Sequence, residues 1–279
     1  MYVYAVGLIV LVLTGLSEDG PLEHIGHLDY GPIRETSGIV KSRRHPGIYW
    51  VHNDSGNPPA LFAVRRDGSL VREYAVTIPN IDWEDIAIDD QGHLYLGDIG
   101  NNDNRLPVRA IYQLDEPDPS KPAEGPLRAT TASYYRFPRG GRFDAEGLFL
   151  EGGRAVVVAK TFDGRAAALY AIPLDPPAPL LRPATPERIG ALPEFREPVT
   201  GASLTPDGTR LAVCSYEVAR VYERAQNEKA RWKPIGSVRF QANEVEAICW
   251  DGRDLILAGE DRKLHRIPAA AWKPGPHRR

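Results

Sequence analysis

Five short segments of this chain repeat one pattern: a hydroxyl or carboxylate residue, then a small or acidic residue, then mostly apolar residues. The segments are Ser37–Val40, Glu84–Ala87, Glu146–Phe149, Thr200–Ser203 and Glu246–Cys249. Their first residues lie roughly 45 to 60 residues apart, and repetition at this scale is typical of propellers, solenoids and repeat arrays. The chain is therefore predicted to consist of five equivalent units.

Between these segments, short β-type runs alternate with turn residues, and no stretch shows a sustained helical period. The turn sequences Asp67-Gly68 and Asp251-Gly252 each lie between two apolar runs, which predicts hairpins. The pattern predicts an all-β fold, a β-propeller with five blades; a sixth blade would require splitting one of the longer repeats. The last repeat lacks an outer strand. The segment Glu23–Leu28 is predicted to supply that strand and to close the ring, which removes open sheet edges.

The first residues of the chain form an apolar run from residue 2 to residue 16. This run is short for a membrane span, which needs about 20 residues, and it fits the hydrophobic part of an export signal. Residues 1–19 are therefore predicted to be an export signal or an N-terminal anchor, 20–268 one propeller domain, and 269–279 a C-terminal tail. The protein is expected to be secreted or periplasmic, without a membrane span beyond the N-terminal segment.

The charge of the chain argues against nucleic acid as a partner. The formal net charge is −3 and the basic residues are scattered, whereas binding to phosphate backbones needs a concentrated basic surface. The two cysteines, Cys214 and Cys249, each lie in an apolar strand pattern and are interpreted as buried thiols. A monomer is expected.

The first positions of the five repeats are the candidate metal ligands. Inner strands of a propeller line its axis, so these residues would converge there: Ser37, Glu84, Glu146, Thr200 and Glu246. Three carboxylates around a narrow tunnel resist ionisation unless a cation lies among them. Ligands that offer only oxygen select a hard cation, and Ca²⁺ is the natural candidate. In the alternative interpretation these residues are polar plugs that bond to water and backbone amides.

The loops at the same end of the tunnel are polar and form an acidic rim. They include Asn53–Asn57 and Asp98–Asn104, and Asp82, Asp144 and Glu244 each lie two residues before a tunnel Glu. The candidate catalytic residues on this rim are Asp54, Asp98, Lys160, Glu217 and Glu260. The carboxylates are candidates for a base or for further ligands, and Lys160 with Arg165 would hold an anion. Asn, Asp and Gly also favour turns, so these loops have a purely structural interpretation as well.

The order Ser, Glu, Glu, Thr, Glu at the blade starts resembles that of the calcium-activated apyrases, which are secreted five-bladed propellers with one Ca²⁺ in the tunnel. The stretches Trp83–Ala87 and Asp144–Leu148 are also similar to strands of β-propeller phytases and of SdiA-regulated and esterase-like propellers. The resemblance covers the blades from Ser37 to Ile267. It implies the fold and a central calcium ion more strongly than a particular activity.

Two functions from different classes remain open. The first is metal-dependent hydrolysis of a phosphorylated or ester substrate, in which the ion polarises an oxygen and acidifies a bound water. A Gly-x-Ser-x-Gly elbow is absent from the sequence, which argues against a serine hydrolase of that type. The second is a non-catalytic propeller with a structural Ca²⁺ that binds a small molecule, a glycan or a protein at the tunnel mouth.

Overall fold

A computed structural model describes residues 21–137, 143–225 and 231–272 of the chain. The segment 1–19, predicted to be an export signal or anchor, lies outside these described residues. Across the described ranges the regular structure is β-strand throughout. None of their residues belongs to a helix long and apolar enough to cross a membrane.

The described residues form twenty strands. In chain order they are β1 (Glu23–His27), β2 (Thr36–Lys41), β3 (Ile48–Asn53), β4 (Ala60–Arg65), β5 (Leu70–Ala75), β6 (Trp83–Ile88), β7 (His93–Asp98), β8 (Arg109–Asp115), β9 (Thr131–Tyr135), β10 (Ala145–Glu151), β11 (Arg154–Ala159), β12 (Ala168–Pro173), β13 (Glu187–Ala191), β14 (Gly201–Leu204), β15 (Arg210–Cys214), β16 (Val218–Arg224), β17 (Trp232–Arg239), β18 (Val245–Asp251), β19 (Asp254–Gly259) and β20 (Lys263–Ile267).

These strands form five antiparallel sheets of four strands each. Blades one to four are β2–β5, β6–β9, β10–β13 and β14–β17, and blade five has the order β18, β19, β20, β1. The inner strands β2, β6, β10, β14 and β18 contact one another in this order, and β18 contacts β2. The chain is therefore an all-β protein with five blades arranged as a propeller, as the sequence predicts.

The N-terminal strand closes the ring. It pairs antiparallel with β20, so that Glu23 is opposite Arg266 and His27 is opposite Lys263. Just beyond β1, the Leu28 amide donates a hydrogen bond to the Arg262 carbonyl at 2.8 Å. The prediction of a closing strand from the N-terminal side is confirmed. Without it, the outer edge of β20 would be open to pairing with other chains.

The core of the protein is divided into five clusters, one between each pair of adjacent blades. Apolar side chains from facing sheets fill each cluster: Trp50 and Trp83 between blades one and two, and Phe149 and Trp232 between blades three and four. Packing of this kind leaves the inner strand edges and the loops at their ends to line the axis. The tunnel is thus held by rigid walls, and its mouth can carry polar residues.

The packed part of the domain extends beyond residue 268. Trp272 has only 6% of its surface exposed, and its ring packs edge to face on Trp250 at a centroid distance of 5.9 Å. The Trp272 carbonyl also lies close to Gly236, where a Cβ would be 1.7 Å away. The first residues of the predicted tail, 269–272, therefore belong to the core between blades four and five.

Candidate functional site

The five candidate metal ligands lie at irregularities in the strand pairing. In blades one, two, three and five, the register between the first two strands shifts at Ser37, Glu84, Glu146 and Glu246. In blade four, Gly201 pairs with Cys214, and the Thr200 amide also donates to the Cys214 carbonyl. Thr200 and Gly201 therefore both lie opposite Cys214, so that two residues of the inner strand face one residue of the next strand, as in the other blades. A bulge of this kind redirects the side chain of the extra residue.

The five candidate ligands are called here the axial ring, and its two hydroxyl residues, Ser37 and Thr200, join adjacent blades. Ser37 Oγ donates to the Glu84 carbonyl at 2.8 Å and lies 3.3 Å from Glu84 Oε2. Thr200 Oγ1 donates to the Val245 carbonyl at 2.9 Å. Both side chains are at least 99% buried. Their protons are therefore committed to holding neighbouring inner strands together, and each oxygen retains its remaining lone pairs.

Burial and mutual repulsion make the ionised forms of the three ring carboxylates unfavourable. Glu84 and Glu146 are buried and Glu246 is half-buried. Burial raises the pKa of Glu84 well above its usual value, and the charges of Glu146 and Asp54 raise it further. Burial and the charge of Glu146 raise the pKa of Glu246 to about 8. Carboxylates in this state gain from any cation placed among them.

Lys160 supplies one such cation within the chain. Its ammonium donates to Glu146 Oε1 and lies 3.1 Å from the Tyr216 hydroxyl. It also lies 5.5 Å from the centre of the Tyr216 ring. Burial alone lowers the pKa of Lys160, but the charge and hydrogen bond of Glu146 raise it above the usual value. Lys160 thus pairs with Glu146, whereas no Lys or Arg in the described part of the chain forms an ion pair with Glu84 or Glu246.

A second group of carboxylates lies beside the first, and it is called here the Asp54–Asp82–Glu84 cluster. One oxygen from each of the three side chains lies within 4.8 Å of the others. Burial raises the pKa of Asp54, and burial together with the Asp54 charge raises the pKa of Asp82 to about 6. Gly100 forms part of the wall, because a Cβ there would be 2.1 Å from Glu84 Oε1. A side chain at position 100 would fill this space.

A repeated backbone hydrogen bond places three of the predicted catalytic residues in equivalent positions. The residue that follows the second strand donates its amide to a carbonyl just before the inner strand. The pairs are Asp54 N to Glu35 O at 2.8 Å, Lys160 N to Asp144 O at 3.0 Å, and Glu260 N to Glu244 O at 3.1 Å. Asp54, Lys160 and Glu260 therefore share one level of the tunnel mouth. The charges of Asp54 and Glu260 both raise the pKa of Glu246.

Asp98 and Glu217 lie elsewhere. Asp98 is the last residue of β7, one position before this level, and its Oδ1 accepts a hydrogen bond from the Asp82 amide at 2.8 Å. Burial raises the pKa of Asp98 to about 7. The side chain of Glu217 is 77% exposed, and Glu217 Oε2 lies 4.0 Å from Arg239 Nη1. The structure thus makes Asp98 a support for Asp82 and does not bring Glu217 into the buried group.

The asparagines of the mouth loops mainly hold the loops themselves. Asn53 Oδ1 accepts from the amides of Arg34 and Glu35 at 2.9 and 3.3 Å. Asn101 Oδ1 accepts from the Leu106 amide at 2.7 Å, and the Asn101 amide donates to Asp144 Oδ1 at 2.7 Å. Asn101 thus closes its own loop, and both asparagines also tie their loops to the segments that precede β2 and β10. Their effect is to fix the acidic side chains in place.

Asp85 is a central residue that the sequence analysis did not single out. It is fully buried, and its carboxylate accepts three backbone amides: Ile86 at 2.8 Å, Leu148 at 2.8 Å and Ala202 at 3.1 Å. It therefore joins the inner strands of blades two, three and four. The other repeats have Gly, Gly, Gly and Ala at this position. An acidic residue where the other four repeats have a small one was the feature of the sequence that could have indicated a special role for Asp85.

Arg109 is a second cation near the mouth. It is buried at the start of β8, and its Nη2 donates to the Phe143 carbonyl at 2.6 Å. Its charge partly opposes the burial-driven rise in the pKa of Asp82 and Asp144. Lys160 and Arg109 are thus two fixed cations among the many carboxylates that the described residues place at the mouth.

Fold and site together define a five-bladed β-propeller with a carboxylate-rich tunnel mouth. No protein-family model and no curated protein matches the chain. Among solved structures, the chain is similar to glutaminyl cyclase from Myxococcus xanthus, with 12% identity and a TM-score of 0.51, over 88% of this chain and 95% of that chain. It is also similar to a catalytically inactive virginiamycin B lyase from Staphylococcus aureus, crystallised with Quinupristin, with 14% identity and a TM-score of 0.43. That match covers 83% of this chain and 65% of the lyase chain. At these identities the comparison with the cyclase shows the propeller fold alone.

Proposed function

We propose that this protein is a calcium-dependent hydrolase of a phosphorylated or ester substrate, with its cation bound by the Asp54–Asp82–Glu84 cluster. One observation carries the proposal: three carboxylate oxygens lie within 4.8 Å of one another, and one belongs to Glu84, which is only 4% exposed. Among the described residues, the Glu84 carboxylate has one hydrogen-bond contact, Ser37 Oγ at 3.3 Å. A buried carboxylate normally accepts several hydrogen bonds, so this group is suited to a metal ion.

The donor set fits a hard cation. All three groups are carboxylates, which Ca²⁺ and Mg²⁺ prefer. Ca²⁺ accepts six to eight oxygens in irregular geometry, whereas Mg²⁺ demands a near-ideal octahedron. The three ligands come from two loops and the start of β6, and we expect them to suit the less demanding ion. When bound, such an ion polarises a phosphoryl or ester oxygen and lowers the pKa of a coordinated water.

The other residues of the mouth have distinct roles in this proposal. The Lys160 ammonium and the Tyr216 hydroxyl, 3.1 Å apart, face the substrate and hold an anionic oxygen. Glu246 exchanges a proton near neutral pH, since burial and the charge of Glu146 raise its pKa to about 8. Asp98 is a positioning residue that acts through the Asp82 amide. Glu260 and the exposed Glu217 remain candidates for contacts with the substrate.

A non-catalytic propeller is the second candidate function. It is favoured by the mouth loops, whose asparagines bond to groups of their own loop and of the segments before β2 and β10. In that case a structural Ca²⁺ would fix the mouth, which would bind a small molecule, a glycan or a protein. Either function is proposed for an exported or membrane-anchored monomer, following the apolar run in residues 1–19.

Thermal unfolding of the purified protein with EDTA, Ca²⁺ or Mg²⁺ tests the cation site. A ligand that binds only the folded state at about 100 times its Kd adds roughly 2.7 kcal/mol of stability. We expect a Ca²⁺-selective rise in Tm that Glu84→Gln and Asp82→Asn abolish. Glu116→Gln is the matched control, because Glu116 is similarly buried and accepts its hydrogen bond from Trp50 Nε1 at 2.7 Å rather than from the cluster. A Ca²⁺ effect unchanged in Glu84→Gln would contradict the assignment.

The same variants separate the two functions. If the calcium-loaded protein hydrolyses phosphate esters or carboxylic esters, Glu84→Gln must abolish turnover while the protein remains folded. If Glu84→Gln removes only the stabilisation by Ca²⁺ and no turnover is found for any substrate, the non-catalytic function is supported.

A further inference from the structure

Two large apolar side chains are exposed to solvent in the loops of the tunnel mouth. Among the described residues, four large hydrophobic side chains are exposed. Two of them, Leu180 and Leu181, lie in the proline-rich connector at 173–186. The other two are Ile81, 50% exposed, and Phe162, 77% exposed. Ile81 directly precedes Asp82, and Phe162 follows Lys160 by two residues, so both flank the charged groups of the site.

Phe162 is placed beside the Lys160 ammonium. The Lys160 Nζ lies 6.0 Å from the centre of the Phe162 ring and 5.5 Å from the centre of the Tyr216 ring. Phe162 is the exposed member of this pair of rings, whereas Lys160 has a side-chain exposure of only 6%. An aromatic face next to a buried ammonium can bind a second ring while the cation holds an attached polar group.

The loops that carry both side chains are fixed by hydrogen bonds. In the Phe162 loop, the Arg165 amide donates to Asp163 Oδ1 at 3.0 Å, and Arg196 Nη1 donates to the Gly164 carbonyl at 2.8 Å. Next to Ile81, the amide of Ile99 donates to the Asp82 carbonyl at 3.1 Å. Preorganised contact groups bind with less loss of conformational entropy.

We infer that Phe162 forms a binding site for an aromatic ring of the substrate, next to the polar head that Lys160 and Tyr216 hold. The inference rests on the proposed function, because the carboxylates of the mouth repel an anionic head unless a cation is bound. It assigns the substrate class more narrowly: an aryl phosphate or aryl ester rather than a wholly polar phosphorylated compound. A wholly polar substrate would leave the Phe162 ring in water.

Binding of two phosphonates to the calcium-loaded protein, measured by calorimetry, tests the ring site without requiring turnover. We expect phenylphosphonate to bind about 10-fold more tightly than methylphosphonate, since the ring buries apolar area that a methyl group cannot. In Phe162→Ser this ratio falls to about 2-fold or less. Leu181→Ser, at a side chain of similar exposure far from the charged groups in sequence, is the matched control and retains the full ratio.

The outcomes separate this inference from the proposed function. Phenylphosphonate binding that depends on Phe162, without turnover of phenyl phosphate or phenyl acetate, supports the ring site and contradicts hydrolysis of these esters. Turnover of either ester with an unchanged KM in Phe162→Ser supports hydrolysis and overturns the ring site. Equal affinity for the two phosphonates in the unsubstituted protein, or no binding of either, also overturns the inference.

Discussion

At the scale of single residues, Asp85 shows how one carboxylate can hold three blades together. Its three amide donors come from the inner strands of blades two, three and four. Burial raises its pKa, and these donors offset part of that rise. The adjacent repeats carry Gly147 and Gly201 at this position, where a Cβ would lie 2.9 Å from Ala202 Cβ and from the Glu246 carbonyl respectively.

Removing the Asp85 carboxylate should therefore destabilise the whole ring. Each buried amide left without an acceptor costs about 1–3 kcal/mol, so Asp85→Ala is expected to lose roughly 3–5 kcal/mol in the free energy of unfolding. Asp85→Asn, which keeps one oxygen, should lose about half as much. Urea denaturation measures both, with Asp29→Ala at an exposed site as the control. A loss below about 1 kcal/mol in Asp85→Ala would show that these amides find other acceptors.

The raised carboxyl pKa values predict how stability depends on pH. The pKa is about 6 for Asp82, about 7 for Asp98 and about 8 for Glu246, whereas unfolded carboxyls titrate near pH 4. The folded protein thus binds more protons than the unfolded chain between these values. In EDTA, its stability is therefore highest at the acidic end and falls as pH rises from about 4 to 8.

Melting curves in EDTA between pH 5 and 8.5 check this dependence. We expect Tm to fall across the range, and saturating Ca²⁺ should reduce the fall because the ion favours the ionised carboxylates. Asp82→Asn and Glu246→Gln should each flatten the curve in EDTA. A Tm that rises with pH in EDTA would contradict the raised pKa values.

At the scale of strands, Ser37 and Thr200 distinguish two interpretations of the tunnel. Their hydroxyls are either ligands of an axial metal ion or hydrogen-bond donors that join the blades. The sequence predicts Ser37 and Thr200 as metal ligands, and the structure shows both donating to carbonyls of the next blade. If the hydrogen bonds are their main role, Thr200→Val costs about 1 kcal/mol of stability and leaves the Ca²⁺ affinity within about 2-fold. Thr131→Val, at an exposed position of the outer strand β9, is the control. A large loss of Ca²⁺ affinity in Thr200→Val would instead support the axial ligand set.

Most strand positions could be predicted because local signals and tertiary structure agree. Alternating apolar residues and turns such as Asp67-Gly68, where Gly68 has a φ of 86°, specify strands without reference to the rest of the fold. The site is harder to predict. Asp54 follows β3 and Asp98 ends the equivalent strand β7, and this one-residue offset places Asp98 Oδ1 on the Asp82 amide. Such offsets depend on three-dimensional packing rather than on local pattern.

At the scale of the whole molecule, stability depends on closing the ring with β1. This strand brings Leu22 and Leu28 into the core, where both are buried. Each such side chain contributes about 1.5–3 kcal/mol, and about 1 kcal/mol shifts Tm by 2–4 °C at this size. A chain that starts at residue 29 should therefore melt roughly 10 °C lower than one that starts at residue 21.

The truncated chain should also associate. Its unpaired β20 presents an open edge, which favours pairing with other copies. Size-exclusion chromatography at several concentrations measures this, with the chain that starts at residue 21 as the control. A truncated chain that stays monomeric and equally stable would show that another segment closes blade five.

The bulges at the blade starts have a consequence for how this molecule can change. A bulged residue has no partner in the strand ladder, so its side chain can be exchanged without altering the register of the blade. The axis therefore carries a set of interchangeable positions, and substitution there changes the chemistry of the tunnel while the scaffold is conserved. A designer could vary residues 84, 146 and 246 in combination, keep the hydrogen bonds that Ser37 and Thr200 form between blades, and obtain a family of tunnels with different ion preferences.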